Sequence, residues 1–147
     1  MFVLVVEDGP VERKLLENAM TKNFSGVEVV SCASEDEALL ICDETPPDLI
    51  ITDVRLAQGD GLELCRKIKA KPSPCNGIPI LVISSEPSPL LMAIKSMAEG
   101  AYSFIPKPFC LKALVETVRD GIRLAAARQA QKRAVEMTMA HLAGGPR

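Results

Sequence analysis

Residues 47–53 read Pro-Asp-Leu-Ile-Ile-Thr-Asp. Leu49-Ile50-Ile51-Thr52 is a β-rich run without the alternation of a half-exposed strand, the mark of a strand covered on both faces. Pro46-Pro47 stops whatever helix comes before it, and the run ends on a carboxylate, Asp53. Outward from this stretch the same unit recurs. Phe2–Val6 is an earlier apolar run, followed by Glu7, Asp8 and Gly9-Pro10. Proline suits a first helical position, and Leu15, Leu16, Ala19 and Met20 then give helical spacing. Gly26 breaks that helix, and Val27, Val29 and Val30 read as a second strand. Ser34-Glu35-Asp36-Glu37 is a capping box opening a helix that carries Ala38, Leu39 and Ile41.

Beyond Asp53, a Gly59-Asp60-Gly61 turn leads into a third helix with Leu62, Cys65 and Ile68. Pro72 to Gly77 is a loop and Ile78 to Ile83 a fourth strand. Ser88-Pro89 caps a fourth helix (Leu91, Ile94, Ala98), which Gly100 closes. Tyr102 to Ile105 is a short fifth strand, Pro106-Lys107-Pro108 a turn, and a long helix begins near Cys110 or Leu111. Five βα units in strict alternation make an α/β fold: a doubly wound five-stranded parallel sheet with helices on both faces and right-handed crossovers. A βα barrel needs eight units and about 200 residues or more; this chain has 147.

Composition narrows the function classes. Hydrophobic residues make up 48%, enough for one packed core, which excludes a disordered tail, a collagen-like repeat or a disulfide-stapled miniprotein. No apolar run approaches the ~20 residues of a membrane span, and Phe2–Val6 is too short for a signal peptide. Lys+Arg 17 against Asp+Glu 19 gives −2, which argues against nucleic-acid or anionic-membrane binding by the whole chain. The five cysteines (Cys32, Cys42, Cys65, Cys75, Cys110) form no C-x-x-C and read as free thiols in a reducing cytosol, so a cytoplasmic location is expected. Aromatics at 3% with no Trp make a flavin site unattractive.

In an open parallel sheet, ligands bind outside the carboxyl ends of the strands, at the switch point of the topology. Strand 1 ends in Glu7-Asp8, strand 3 in Asp53, strand 4 in Ser84-Ser85, and Lys107 follows strand 5. With strand order 2-1-3-4-5 the acids flank the switch point. Singly, each residue is ordinary: an acid after a strand complements a helix dipole, and a serine there is commonly a cap. Together, three carboxylates at one sheet edge repel one another unless a hard cation neutralises them. Mg²⁺ favours oxygen ligands and phosphate partners, and a lysine opposite suits a phosphoryl oxygen. The constellation reads as acids, Mg²⁺ and phosphate.

These residues resemble a response-regulator receiver domain of two-component signalling. The matching pieces are V-V-E-D at 5–8, P-D-L-I-I-T-D at 47–53, the spacing from Asp53 to Gly61, L-V-I-S-S at 81–85 and G-A-Y-S-F-I-P-K-P-F at 100–109. The resemblance covers residues 1 to about 122 and implies the sheet already read, in order 2-1-3-4-5. It implies that Asp53 accepts the phosphoryl group, that Asp8 binds Mg²⁺ directly and Glu7 through water, and that the Arg55 carbonyl completes the metal shell. Ser84 would bind a phosphoryl oxygen after transfer, Lys107 would pair with another, and Phe104 stands at the family's switch aromatic. The Lys107–Pro108 bond is cis in the family. The resemblance further implies a histidine kinase or phosphotransfer protein as donor. It implies a changed face of helix 4, strand 5 and helix 5 as output to a domain or effector, and possible homodimerisation through that face or the last helix. The resemblance implies a regulatory module that promotes its own phosphorylation and dephosphorylation, not a metabolic enzyme.

Departures from the family pattern are mild: Glu7 for the commoner Asp, Leu56-Ala57 for Met-Pro, and a Phe104 without a hydroxyl. Arg55 and Glu86, two residues from Asp53 and from Ser84, carry opposite charges that can pair across the mouth of the site. An aspartyl-phosphate phosphatase of the haloacid-dehalogenase type needs D-x-D, where this chain has Asp53-Val54-Arg55. A flavodoxin-like carrier needs a Ser/Thr/Gly-rich loop where Glu7-Asp8-Gly9-Pro10 stands. A pseudo-receiver is disfavoured by the intact acid–Asp–Ser–Lys set.

The end of the chain differs from its body. Residues 119–147 hold six bases and two acids, so +4, and the remainder is −6. From residue 123 good helix formers dominate, and residues 123–143 read as a helical extension or linker, with 144–147 a flexible end. A cut linker or a dimerising helix is favoured over a helix folding back onto the body. Gln129 and Lys132 interrupt the heptad pattern. Without aromatics or helix-turn-helix spacing, this segment is not expected to bind nucleic acid.

Overall fold

The computed structural model describes residues 1–144. The elements in chain order are β1 (Phe2–Val6), α1 (Pro10–Asn23), β2 (Glu28–Cys32), α2 (Glu35–Glu44), β3 (Leu49–Asp53), α3 (Gly61–Lys69), β4 (Ile80–Ser84), α4 (Pro89–Ala98), β5 (Ser103–Pro106) and α5 (Leu111–Gly144). A short 3₁₀ turn at Cys75–Gly77 precedes β4. All strand pairs are parallel, in the order β2-β1-β3-β4-β5, as the alternation and the resemblance imply.

The sheet is buried on both faces, which is why its inner strands read as unbroken apolar runs. Val3, Val5, Leu49, Ile51, Leu81 and Ile83 face α1 and α5, meeting Leu16, Met20, Leu114 and Val118. Leu4, Val6, Ile50, Ile80 and Val82 face the other way, onto Ala38 and Cys42 of α2, Leu64, Cys65 and Ile68 of α3, and Met92 of α4. Each fully buried aliphatic side chain contributes about 1.5–3 kcal/mol, so the sheet edge that carries the charges sits on a stiff base.

Local signals hold with three adjustments. The Ser34 hydroxyl accepts from the Glu37 N–H at 3.2 Å, as the capping box requires. Asp60, read only as a turn residue, caps α3 by accepting from the N–H groups of Leu62 (2.6 Å) and Glu63 (3.3 Å). Ser88 makes no side-chain cap; its carbonyl accepts from the Met92 N–H at 3.0 Å, and Pro89 opens α4. Strand β5 begins at Ser103 rather than Tyr102.

The largest difference concerns α5, one helix of 34 residues. It neither ends near residue 122 nor leaves the body there. Ala125 is buried, the Arg128 guanidinium donates to the Pro74 carbonyl, and the Gln129 amide donates to Asp48 Oδ1. The other Asp48 oxygen accepts from the Phe2 N–H at 2.7 Å. Gln129, one of the two residues that interrupt the heptad, therefore helps fasten the helix, whereas Lys132 stays exposed. Gly121 permits the close approach: a Cβ there would lie 2.5 Å from the Tyr102 hydroxyl oxygen. From residue 130 onward every described residue is exposed. Gly144, expected in a flexible end, is the last helical residue; 145–147 lie outside the described residues.

Candidate functional site

The charged strand ends converge as the topology requires. Glu7 closes β1, Asp53 ends β3, Ser84 ends β4, and Lys107 follows β5 on a loop fixed by its N–H donating to the Ser84 carbonyl at 2.7 Å. The Lys107–Pro108 peptide is cis. Lys107 Nζ donates to Asp53 Oδ2 at 2.6 Å and lies 3.7 Å from Glu7 Oε1. The third carboxylate on the lysine is one that the sequence reading missed: Glu12, from the first turn of α1, accepts from Nζ at 2.5 Å. Glu7, Glu12 and Asp53 each offer an oxygen within 4.8 Å of the others.

Asp8, expected in the same cluster, does a different job here. Its Oδ2 accepts from the Ala57 N–H at 2.8 Å, tying β1 to the β3–α3 loop. Asp53 Oδ1 accepts from the Arg55 N–H at 3.3 Å, and Arg55 bridges to Asp60, which fixes the backbone bearing its carbonyl. Gly61 is required at its place, since a Cβ would lie 2.0 Å from the Asp53 carbonyl oxygen. The Arg55 guanidinium pairs with the Glu86 carboxylate, and the arginine is largely exposed, so the pair screens the mouth more than it stabilises the fold. The Ser84 hydroxyl, buried, accepts from the Glu86 N–H at 3.0 Å. Phe104 is half-buried on the α2–α4 side of the sheet.

Electrostatics separate the carboxylates. Glu7 is 2% exposed. Burial first, then hydrogen bonding to Glu12 and Asp53, pushes its pKa up to about 9, so it is protonated at neutral pH. Glu12 shifts below the ordinary carboxylate value, chiefly through its bond to Lys107. Burial works against the Lys107 charge, but its bonds to Asp53 and Glu12 prevail and hold it above the ordinary lysine range. Glu7 Oε2 is buried with no hydrogen-bond partner. A hard-oxygen donor set with one unsatisfied buried oxygen fits a divalent cation such as Mg²⁺. Beside it, a groove of about 1280 Å³ runs between α1 and the β5–α5 loop, lined by Val11, Leu15, Lys107 and Phe109 among others.

An acidic pocket with a lysine over its central aspartate, at the switch point of a doubly wound sheet, defines an anion-handling signalling site more than a hydrolase. The family model for the response regulator receiver domain matches residues 3–119, and the chain belongs to that family. Response regulator MprA of Mycolicibacterium vanbaalenii is 29% identical over 144 residues, 98% of this chain and 60% of that protein. MprA of Mycobacterium avium is 32% identical over 123 residues, 84% of this chain and 51% of that protein. The chain thus spans roughly half to three-fifths of the curated relatives it matches. Among solved structures, a response regulator receiver protein from Pseudomonas putida superposes with a TM-score of 0.71 at 32% identity, covering 81% of this chain and 95% of that one. The signal receiver domain of a signal transduction histidine kinase from Syntrophus aciditrophicus gives 0.74 at 30% identity, covering 83% and 89%. Membership makes the chain a regulatory module of phosphorylation-dependent signalling. Among the described residues no helix is long and apolar enough to cross a membrane.

Proposed function

We propose that Asp53 accepts a phosphoryl group from the phosphohistidine of a histidine kinase or phosphotransfer protein, in a cytoplasmic two-component pathway. The observation that carries this is Lys107 Nζ held 2.6 Å from Asp53 Oδ2 in a pocket of buried acid. Asp8, Asp53 and the Arg55 carbonyl, with Glu7 through water, would hold Mg²⁺, which when bound supplies positive charge against the carboxylates and the phosphoryl oxygens. Lys107 orients the Asp53 carboxylate for in-line attack and then pairs with a phosphoryl oxygen. The groove beside α1, where Val11 is 80% exposed, receives the donor.

After transfer the Ser84 hydroxyl leaves the Glu86 N–H for a phosphoryl oxygen, drawing the β4–α4 loop inward, and Phe104 follows by burial. The face made by α4, β5 and α5 changes in consequence. Its α4 surface is apolar, with Leu90, Leu91, Ile94 and Met97 exposed, which suits contact with an output domain, an effector or a second copy. Residues 1–122 carry the receiver sheet and site, and the remainder of α5 extends it, still packed on the body through Ala125, Arg128 and Gln129. The module promotes its own phosphorylation and dephosphorylation and does not itself bind nucleic acid.

Incubation with acetyl phosphate and Mg²⁺ should add one phosphate to the intact mass of the wild type and none to Asp53→Asn. No base-labile adduct, together with no beryllofluoride binding in Mg²⁺, overturns the reading.

A further inference from the structure

Each carboxylate around Lys107 has a different freedom to leave it. The Glu7 side chain is 2% exposed and that of Asp53 11%, whereas that of Glu12 is 56% exposed. Glu12 reaches inward from the rim, its oxygen 2.5 Å from Nζ. A Cβ at Gly9 would lie 3.2 Å from Glu7 Oε1, a tight approach, and 3.5 Å from Glu12 Oε1, an ordinary contact, so the turn before α1 lies against both acids. An ammonium group has three donors, and Asp53 and Glu12 take two of them while Glu7 stands beside the third.

A phosphoryl group on Asp53 brings close to two negative charges and needs a donor from the same lysine. It competes with the Glu12 carboxylate for Nζ, and like charge at this distance repels it. Glu12 is the carboxylate whose departure costs least, because its side chain is half in water and sits on the first turn of a surface helix. Glu12 also lines the groove between α1 and the β5–α5 loop.

We propose that Glu12 is a gating residue that holds Lys107 closed against phosphoryl oxygens. The proposal rests on Asp53 being the acceptor. Its role is in positioning: it acts on the incoming group through Lys107.

The test is a titration of full chains with beryllofluoride at saturating Mg²⁺, comparing wild type, Glu12→Gln, Glu12→Ala and Asp53→Asn. Mg²⁺ alone is titrated in parallel, and thermal unfolding confirms that each chain is folded. Both Glu12 variants are expected to bind beryllofluoride about fivefold tighter than wild type, the scale of a partly exposed ion pair. Their affinity for Mg²⁺ alone should not tighten in step. The same variants should lower the KM for acetyl phosphate more than they raise kcat. Wild-type binding that depends on Asp53 but is unchanged or weakened in both Glu12 variants overturns the gate and leaves the receiver reading standing. A gain that tracks tighter Mg²⁺ binding also overturns it. Absence of binding in every chain overturns the gate and the acceptor reading together.

Discussion

Glu7 shows how one buried carboxylate links metal, proton and stability. Its pKa rises from 4.5 to about 9 through burial first. In the metal-free protein the native state therefore binds a proton that the unfolded chain has lost. Stability from this group is fully present below pH 4.5 and falls as pH rises toward 9. The slope is about 1.4 kcal/mol per pH unit inside that window, and Glu7→Gln should flatten it in urea titrations run in chelator. A Mg²⁺ ion held beside Glu7 through water would favour its ionised form. Calorimetry near pH 7 in buffers of different ionisation enthalpy should show release of about one proton in wild type and none in Glu7→Gln. Glu7, Asp53 and Lys107 were legible in the sequence because strand ends in a parallel sheet must meet at one edge. Glu12 was not, because an acid in a helix's first turn is ordinary, and only the fold brings it over Lys107.

At the scale of elements, α5 divides into a packed part and a free part. Leu114, Val118, Gly121 and Ala125 are buried, and Arg128 and Gln129 bond to the body. The 15 residues from 130 to 144, about 22 Å of helix, are all exposed. An isolated helix of that length is marginal in water, and Lys132 to Glu136 at 4.0 Å adds little. Hydrogen exchange should therefore show fast-exchanging amides across 130–144 and strong protection at 114–125; equal protection along α5 contradicts this division. The helical character of the segment was plain from its Ala, Arg, Gln and Lys content. Its attachment was hidden, because Gln129 reads as a defect in the seam until Asp48 is seen opposite it, and nothing in the sequence pairs Arg128 with the Pro74 carbonyl.

For the whole molecule, the two-faced burial of the sheet made the architecture readable: unbroken apolar strands alternating with helices have few other solutions. The same burial governs the thiols. Cys32, Cys42, Cys65 and Cys75 are buried and Cys110 is exposed. Burial pushes Cys32 up to about 11 and Cys42 and Cys65 up to about 12. A chromogenic disulfide reagent at pH 8 should titrate one thiol quickly in the native state, lost in Cys110→Ser, and the remaining four only in denaturant; rapid reaction of more than one contradicts the packed core. The grip of Arg128 and Gln129 on Pro74 and Asp48 sits at the amino-terminal edge of the sheet, away from Asp53. It sets the azimuth of α5 as well as its position. Every position on α5 up to Gln129 thereby has a fixed bearing relative to the acidic pocket. One inserted residue rotates that bearing by about 100°, while seven bring it nearly back into phase. Spacing along α5 is thus a coordinate of direction as much as of distance.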